Sequence, residues 1–422
     1  MTHPSRSRIA DAVQTVTSMA MGPYQTAIVR IGFAATWLLF LLREFPNRQA
    51  MYGPDAPWSW EMGRQLISGN DAFTTLMWSD GGLWFETVYV MSVLSSALLM
   101  VGWRTRTMSA VFMVGVLSLQ NRSIFIGDGG DNVIHLVAIY LVFTRCGQVW
   151  SLDARRAART AEAPPGKHSS DDVGPALWMV LGTFLLIGTF LNQTGWHVLL
   201  LLWALWAVQG VWWLLGRYSP NGQPRLLLDA IANLCHNAAL LVVMAEVCLI
   251  YATAGWYKVQ GSRWQDGTAL YYPLQLDYFT PWPALSDLLA SGGVMVMVLT
   301  YGTVIVQVAF PFTLFNRRVK NVLLAVMILE HAAIAVLLGL PFFSLAMIAA
   351  DAVFLPTAFL VWLGARAARG RSRVSFRFRR GRVPDHTEGQ ERPSPQGAPP
   401  AGHEVMAKAA PSHRPNPRNL GR

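Results

Sequence analysis

Charged residues are scarce in this chain of 422 residues. Asp, Glu, Lys and Arg make up 14% of it and hydrophobic residues 53%, and the mean hydropathy is +0.32. Soluble domains carry about a quarter charged residues, so this composition excludes an ordinary soluble protein and favours lipid as the solvent. The 17 Trp residues agree, because Trp collects at the depth of lipid headgroups.

Other features are missing as well. The three cysteines, Cys146, Cys235 and Cys248, lie in or beside apolar runs without CxxC spacing, so we expect neither a disulfide framework nor a metal site. Residues 1–26 lack the apolar core and cleavage site of a signal peptide, and none is expected. No repeat divides the chain into related halves, which disfavours a transporter built that way.

Long apolar runs are abundant instead. A membrane-spanning helix needs about 20 apolar residues, and ten segments approach this length: 27–43, 86–103, 107–120, 132–146, 176–192, 196–215, 226–254, 293–315, 321–339 and 342–364. The sequence therefore predicts an all-α, polytopic integral membrane bundle of about ten transmembrane helices. Its predicted parts are a cytoplasmic segment (1–26), the transmembrane domain (27–364) and a disordered basic cytoplasmic tail (365–422).

The basic residues between these runs predict the orientation. Lys and Arg collect in cytoplasmic loops, and every second connection carries them, including Arg104 with Arg106 and the run Arg317–Lys320. An even helix count then places both termini in the cytoplasm of a bacterial-type cell. From Arg366 onward the chain holds thirteen Lys or Arg and four Asp or Glu. We expect this tail to meet anionic lipid of the bilayer, and no nucleic acid as a partner.

Ionisable residues inside apolar spans are functional candidates, because burying them there is costly. They are Arg30, His135, Glu246, Glu330, His331 and Asp351. Each has a simpler interpretation, a polar contact that fixes helix packing. Glu330 and His331 are adjacent, so they are predicted to point in different directions. The polar stripe of Asp229, Asn233, His236 and Asn237 is predicted to form hydrogen bonds between helices.

Asp131, Asn132 and His135 share one helical face, since three or four residues separate them. A carboxylate at that spacing can orient an imidazole for proton transfer. The alternative is a capped helix start with Asp131 or Asn132 as the N-cap after Gly129 and Gly130. The two interpretations do not exclude each other.

Among single residues, Lys258 is the strongest candidate for a functional role. It follows Ala254, Gly255, Trp256 and Tyr257 at the end of a long apolar run. Burial among apolar and aromatic neighbours favours an uncharged amine, which can act as a base. The alternative is an interfacial anchor whose charged head reaches water.

The region around Lys258 resembles the horizontally transferred transmembrane (HTTM) family, the membrane region related to vitamin K-dependent gamma-carboxylase. The residues that carry the resemblance are the segments 254–258 (AGWYK) and 264–269 (WQDGTA). Weaker support comes from Arg30-Ile31-Gly32, Asp131-Asn132, Trp150-Ser151-Leu152-Asp153-Ala154 and Glu330-His331. Together these segments cover most of residues 20–364.

The resemblance implies a base at Lys258 that deprotonates reduced vitamin K or another quinol at the outer face, with His135 or His331 binding the quinol oxygens. The remaining residues assigned to the quinone site are Asp131, Asn132, Trp256, Tyr257, Trp264, Asp266 and Glu330. A carboxylase of this kind acts on exported proteins, so a secreted peptide or protein is an expected substrate. The alternative is a non-catalytic membrane subunit that helps to mature or export such a peptide.

Overall fold

The computed structural model describes residues 8–123, 125–162 and 172–380. These residues are helical or irregular, with no strand among them, which confirms the all-α class. The chain divides after Ala368 into a large unit and a small one. Residues 1–7 of the predicted N-terminal segment and 381–422 of the predicted tail lie outside the described part.

The helices follow one another with short connections. Helices α1 to α9 are Arg8–Ser18, Pro23–Glu44, Arg48–Tyr52, Trp60–Asn70, Gly82–Val101, Thr105–Gln120, Gly129–Val142, Leu152–Glu162 and Val173–Leu191. Helices α10 to α18 are Trp196–Tyr218, Gln223–Gln260, Ser262–Gln265, Tyr271–Leu274, Pro283–Ala290, Gly293–Ala309, Arg317–Leu337, Pro341–Asp351 and Thr357–Arg380.

Seven helices in the described ranges are long and apolar enough to cross a membrane. They are Pro23–Tyr52 (α2 and the turns after it), α5, α9, α10, α11, Gly293–Thr313 (α15 and its last turn) and α16. The most apolar window of α10 is only 6% buried within the protein. A helix that is apolar on all sides and yet exposed needs lipid around it, which supports a membrane-spanning bundle.

The predicted count of ten is not confirmed, because the other three segments differ from simple spans. With 16 and 14 residues, α6 and α7 are short, and they lie at the centre of the packing, where Phe112 and Ala138 are fully buried. The segment predicted as one span at 342–364 is two helices, α17 and α18, bent by 116°.

The bend between α17 and α18 has a local cause in Pro356. Proline lacks the N–H that would continue the helix, and it favours an extended conformation at the preceding residue; Leu355 has φ −63° and ψ 137°. Two carbonyl groups at the break find side-chain donors. Lys320 Nζ lies 2.5 Å from Phe354 O, and Gln25 Nε2 lies 2.9 Å from Leu355 O.

Helix α18 also continues beyond the predicted end of the transmembrane domain. It runs to Arg380, so residues 365–380 are helical and the disorder predicted for them is wrong. The alanines and arginines after residue 364 are strong helix formers, and they extend the helix.

A buried arginine joins two of the segments that support the family resemblance. Arg30 on α2 is fully buried, and its Nη2 donates to Trp150 O at 2.7 Å. Three residues later the carboxylate of Asp153 accepts from the backbone N–H groups of Arg104 (2.8 Å) and Thr105 (2.7 Å). Because these donors begin α6, Asp153 satisfies a helix start. The two segments therefore have a structural role here.

The polar stripe on the first half of α11 forms the predicted contacts between helices. Asn233 Nδ2 donates to Thr17 O at 3.0 Å, and His236 Nε2 lies 2.7 Å from Met21 O. These bonds attach α1 and the turn before α2 to α11. The expectation that the stripe serves interhelical hydrogen bonding is confirmed.

Helices α9 and α10 are held together by two tryptophans. The rings of Trp178 and Trp206 stack with centroids 3.9 Å apart, and each indole N–H donates to the other residue's backbone oxygen, at 2.8 and 2.9 Å. Glycines provide the space: a Cβ on Gly182 would lie 2.8 Å from the Trp206 ring, and one on Gly210 would lie 2.9 Å from the Trp178 ring. This close approach explains the Trp-x-x-x-Gly spacing on both helices.

We predict that Gly182→Val weakens this contact. The added side chain must displace the stacked Trp206 ring, and such overpacking costs about 1–3 kcal/mol. The midpoint of thermal unfolding in detergent should fall. Gly302→Val on α15 is the matched control, because a Cβ on Gly302 has no neighbour within 4 Å. Equal midpoints for the two variants would contradict the tight Trp–Gly packing.

Candidate functional site

Polar side chains from two apolar helices meet Lys258 near the end of α11. The amine donates a hydrogen bond to Gln307 Oε1, and Gln307 Nε2 donates to Glu330 Oε1 at 2.7 Å. We call Lys258, Gln307 and Glu330 the lysine network. In this network the neutral amide of Gln307 lies between the Lys258 amine and the Glu330 carboxylate and forms a hydrogen bond to each of them.

The packing of α11 on α15 makes this contact possible. A Cβ on Gly255 would lie 2.5 Å from the Val308 side chain, so the absence of a side chain at residue 255 lets the two backbones approach. Lys258 is one turn further along α11 and meets Gln307, the neighbour of Val308. The glycine in the AGWYK segment therefore positions the lysine.

The amine lies within the length of the neighbouring spans. Gln307 is in the last turn of α15 (Gly293–Ala309), about 21 Å from its start at 1.5 Å per residue. Glu330 lies about two-thirds along α16 (Arg317–Leu337). Lys258 thus lies beside the last turn of α15 and the second half of α16.

Trp264 covers part of the lysine. After the turn at Gly261, the short helix α12 (Ser262–Gln265) carries its indole to a ring centroid 5.1 Å from Lys258 Nζ. Lys258 is half-buried, so part of its side chain remains accessible. The result is a polar atom beside an aromatic face, an arrangement suited to a flat ring that carries a hydroxyl group.

A second polar group lies two turns earlier on α11. The Tyr251 hydroxyl donates to Asp351 Oδ1 at 2.9 Å and lies 3.0 Å from His331 Nε2. All three residues are buried, with exposures of 1%, 0% and 3% for Tyr251, Asp351 and His331. We call them the tyrosine group.

The single hydroxyl proton constrains the protonation pattern of the tyrosine group. If Tyr251 gives its proton to Asp351, its oxygen must accept from an N–H at His331 Nε2. His331 Nδ1 then carries a lone pair. Within the described residues, His331 Nδ1 and Asp351 Oδ2 are buried without hydrogen-bond partners. Such atoms are costly to bury, and they are the sites at which a proton could be exchanged.

Helix α16 connects the two groups, because Glu330 belongs to the lysine network and the adjacent His331 to the tyrosine group. The sequence-based expectation that these two side chains point in different directions is confirmed by their separate partners. Four helices, α11, α15, α16 and α17, thereby contribute to one polar region between apolar surfaces.

The Asp131 face lies at the start of α7, in a different set of contacts. Asp128 is the N-cap there: its side chain accepts from the N–H groups of Gly130 (2.6 Å) and Asp131 (3.1 Å), and Asp131 Oδ2 accepts from Asp128 N at 2.8 Å. The predicted helix start is therefore present, but its cap is Asp128 and not Asp131 or Asn132. Asn132 itself is exposed.

His135 bonds within the same region, with its Nδ1 3.2 Å from Gln120 Oε1. One aromatic residue contacts both regions: the Phe343 ring lies 5.7 Å from the His331 ring, and a Cβ on Gly130 would lie 2.7 Å from Phe343 Cα. The α7 start and the tyrosine group are thus neighbours, although His135 and Lys258 belong to separate hydrogen-bond networks.

Three further predicted residues point away from the lysine network. Trp256 and Tyr257 are 64% and 74% exposed, facing the surroundings of α11. Asp266 lies in the exposed turn after α12, where it accepts from the Thr268 hydroxyl and backbone N–H. The hydroxyl bond and the nearby Arg263 lower the Asp266 pKa. These contacts stabilise the turn that presents Trp264.

Sequence reasoning missed Gln307 and Tyr251. Gln307 is a polar residue in the otherwise apolar α15, which was a usable signal, since polar residues in spans seek partners. Tyr251 lies seven residues before Lys258 and therefore on the same helix face. Tyrosine is common in apolar segments, so this spacing alone was a weak signal.

The arrangement offers proton-transfer chemistry: an amine, an amide, a phenol, an imidazole and two carboxylates. In the described ranges no group of three or more His, Cys, Asp or Glu residues could hold a metal ion. No protein-family model, curated protein or solved structure matches the chain. The resemblance to the HTTM family stays a prediction.

We predict that Tyr251→Phe destabilises the protein. Removing the hydroxyl leaves Asp351 and His331 without the partner that both share, and an unsatisfied buried polar group costs about 1–3 kcal/mol. The thermal midpoint in detergent should fall. Tyr257→Phe is the matched control, because it removes the same atom from an exposed position on the same helix. If the two variants unfold at the same temperature, the tyrosine group does not hold the helices together.

Proposed function

We propose that this protein is an integral membrane enzyme in which Lys258 is the base that deprotonates a membrane-soluble quinol. The observation that carries the proposal is the lysine network, with its half-buried amine bonded to an amide among apolar helices. A lysine in direct contact with a carboxylate would be fixed as half of an ion pair. In the lysine network the carboxylate is one amide away, so the amine keeps a side free for another hydroxyl.

Each residue of the network has a part in the proposed proton transfer. The Lys258 amine accepts the proton of the quinol hydroxyl, which requires the two atoms to come within hydrogen-bond distance. Gln307 holds the amine in place through its carbonyl oxygen. The Glu330 carboxylate, on the other side of the amide, stabilises the positive charge that the ammonium then carries.

The surroundings fit a quinol. The Trp264 face next to the amine suits a flat aromatic ring, and the exposed apolar surfaces of the neighbouring helices give a molecule dissolved in the membrane access to the site. As the family resemblance implies, the quinol supplies the oxygen chemistry, since one quinol and one O₂ give one epoxide and one water. The residues of this chain provide the base and the orientation.

The two histidines are assigned supporting places in this proposal. His331 is buried and bonded to Tyr251, so it orients the helix that carries Glu330. His135 holds Gln120 beside the start of α7. Asp131 and Asn132 lie at that helix start, whereas Trp256, Tyr257 and Asp266 frame the segment that leads to Trp264. A secreted peptide as a further substrate, an outer-face site and cytoplasmic termini remain parts of the proposal.

A non-catalytic role is the second candidate function. The full burial and mutual bonding of the tyrosine group favour it, because groups of this kind also fix helix packing without chemistry. In that case the protein would be a membrane subunit for the maturation or export of a secreted peptide. Lys258 would then be replaceable, whereas Tyr251 would not.

The two candidates are separated by the behaviour of Lys258→Ala. We predict that the purified wild-type protein in lipid nanodiscs converts reduced naphthoquinone and O₂ to the epoxide, and that Lys258→Ala lowers this rate about 100-fold or more, as expected for loss of a general base. Epoxide is measured by mass spectrometry. Both proteins should be monodisperse and have the same thermal midpoint.

Val259→Ala is the control for α11, because Val259 is adjacent and exposed; it should keep the wild-type rate. A folded wild-type protein that makes no epoxide, or a Lys258→Ala variant as active as the wild type, would contradict the enzyme proposal. The subunit role would be favoured if Lys258→Ala were as active as the wild type and Tyr251→Phe no longer supported maturation or export of the secreted peptide.

A further inference from the structure

A cavity of about 640 Å³ separates the α9–α10 pair from helices α5, α6 and α11. The pair contacts the rest of the bundle near both ends of the gap. At one end Trp78 Nε1 donates to Thr194 Oγ1 at 3.2 Å, and at the other Gln209 Nε2 donates to Thr107 Oγ1 at 2.5 Å. Between these contacts the walls are apolar, with residues such as Val111, Val114, Leu185, Leu202 and Leu205.

Arginines gather around one tryptophan at the Gln209 end. Arg106 lies 3.7 Å from the centroid of the Trp212 ring, Arg225 lies 4.7 Å from it, and Arg145 lies 5.8 Å from it. Arg106, Arg145 and Trp212 also line the cavity. The cavity therefore has an apolar body and a cationic rim.

The rim carries more positive than negative charge. Asp229 is shared by two arginines, with oxygens 3.0 Å from Arg225 Nε and 3.4 Å from Arg145 Nη2. In the part of the chain that the structure describes, no carboxylate pairs with Arg106, whose guanidinium contacts the Trp212 ring. Three neighbouring cations with one carboxylate repel one another, and an anion at this point would relieve the repulsion.

We propose that this cavity binds an anionic phospholipid, with the phosphate at Arg106 and Arg145 and an acyl chain between α10 and α6. The guanidinium groups of the rim form strong charge-assisted bonds to a phosphate, and the rim's net positive charge disfavours a headgroup that also carries a cation. The apolar walls favour a ligand with an acyl chain over a free phosphate ion. The cavity volume lies in the usual range for ligand-binding pockets. A bilayer around the exposed α10 supplies such a lipid directly.

The lipid site is independent of the lysine network. None of Lys258, Gln307 and Glu330 lines the cavity. Arg225 and the Asp229 partner of Arg145 lie in the first part of α11, whereas Lys258 lies near its end. The bound lipid would fill the gap and hold the α9–α10 pair in place. Loss of epoxide formation therefore has no bearing on lipid binding.

The test is a competition between two lipids. The full-length protein in detergent is exposed to equal amounts of phosphatidylglycerol and phosphatidylcholine with the same chains, and the retained lipids are counted by native mass spectrometry. Both lipids carry the phosphate, but the arginines repel the cationic choline group, so we expect about tenfold more phosphatidylglycerol than phosphatidylcholine. Arg106→Gln should bring the ratio close to one. Arg155→Gln, an exposed α8 residue outside the cavity lining, should leave it unchanged.

A second variant tests the apolar body. Ala204 lines the cavity on α10, and Ala204→Phe should fill part of it and lower retention of both lipids several-fold. Arg106 lies at the exposed rim, so its variant keeps the test decisive if Ala204→Phe does not fold. Equal retention of the two lipids by the wild type, an unchanged ratio in Arg106→Gln, or a co-purified neutral quinone in the cavity would overturn the proposal.

Discussion

The absence of water inside a bilayer is the constraint on which this structure depends. A polar group between apolar helices must find its partner within the protein, and the described residues show this repeatedly. Arg30 bonds to a backbone carbonyl, Lys258 reaches Glu330 through an amide, and Tyr251 serves both a histidine and an aspartate. Each of these contacts joins segments that are far apart in sequence, so the polar groups help to specify how the apolar helices pack.

The same constraint distinguishes polar groups with a structural role from polar groups that are candidates for catalysis. Arg30, Asn233 and His236 are buried, and their hydrogen bonds tie separate segments of the chain together. The lysine network differs, because Lys258 is half-buried beside an aromatic ring. Helix α11 carries the two kinds of site at different places along its 38 residues, with the arginine rim at its first part and the amine near its end.

The sequence predicted those features that depend on composition and spacing. Apolar runs located the helices, and ionisable residues within them pointed to Lys258, Glu330, His331 and Asp351. The bend at Pro356 and the helix up to Arg380 were missed, although proline and alanine signalled both. Gln307, in contrast, acquires its role through the close approach of α15 at Gly255, and this tertiary contact has no periodic pattern. For the same reason, the sequence could not predict that three arginines from α6, α11 and the α7–α8 connection meet around Trp212.

The central claim is that the Lys258 amine receives the hydroxyl of a quinol. Its most direct test is chemical protection. The protein in nanodiscs is treated briefly with an amine-acylating reagent, with and without a naphthoquinone, and the modified fractions of Lys258 and Lys320 are measured by mass spectrometry. A quinone bound at the amine should lower modification of Lys258 several-fold and leave Lys320 unchanged. Equal modification of Lys258 in both samples would contradict the claim.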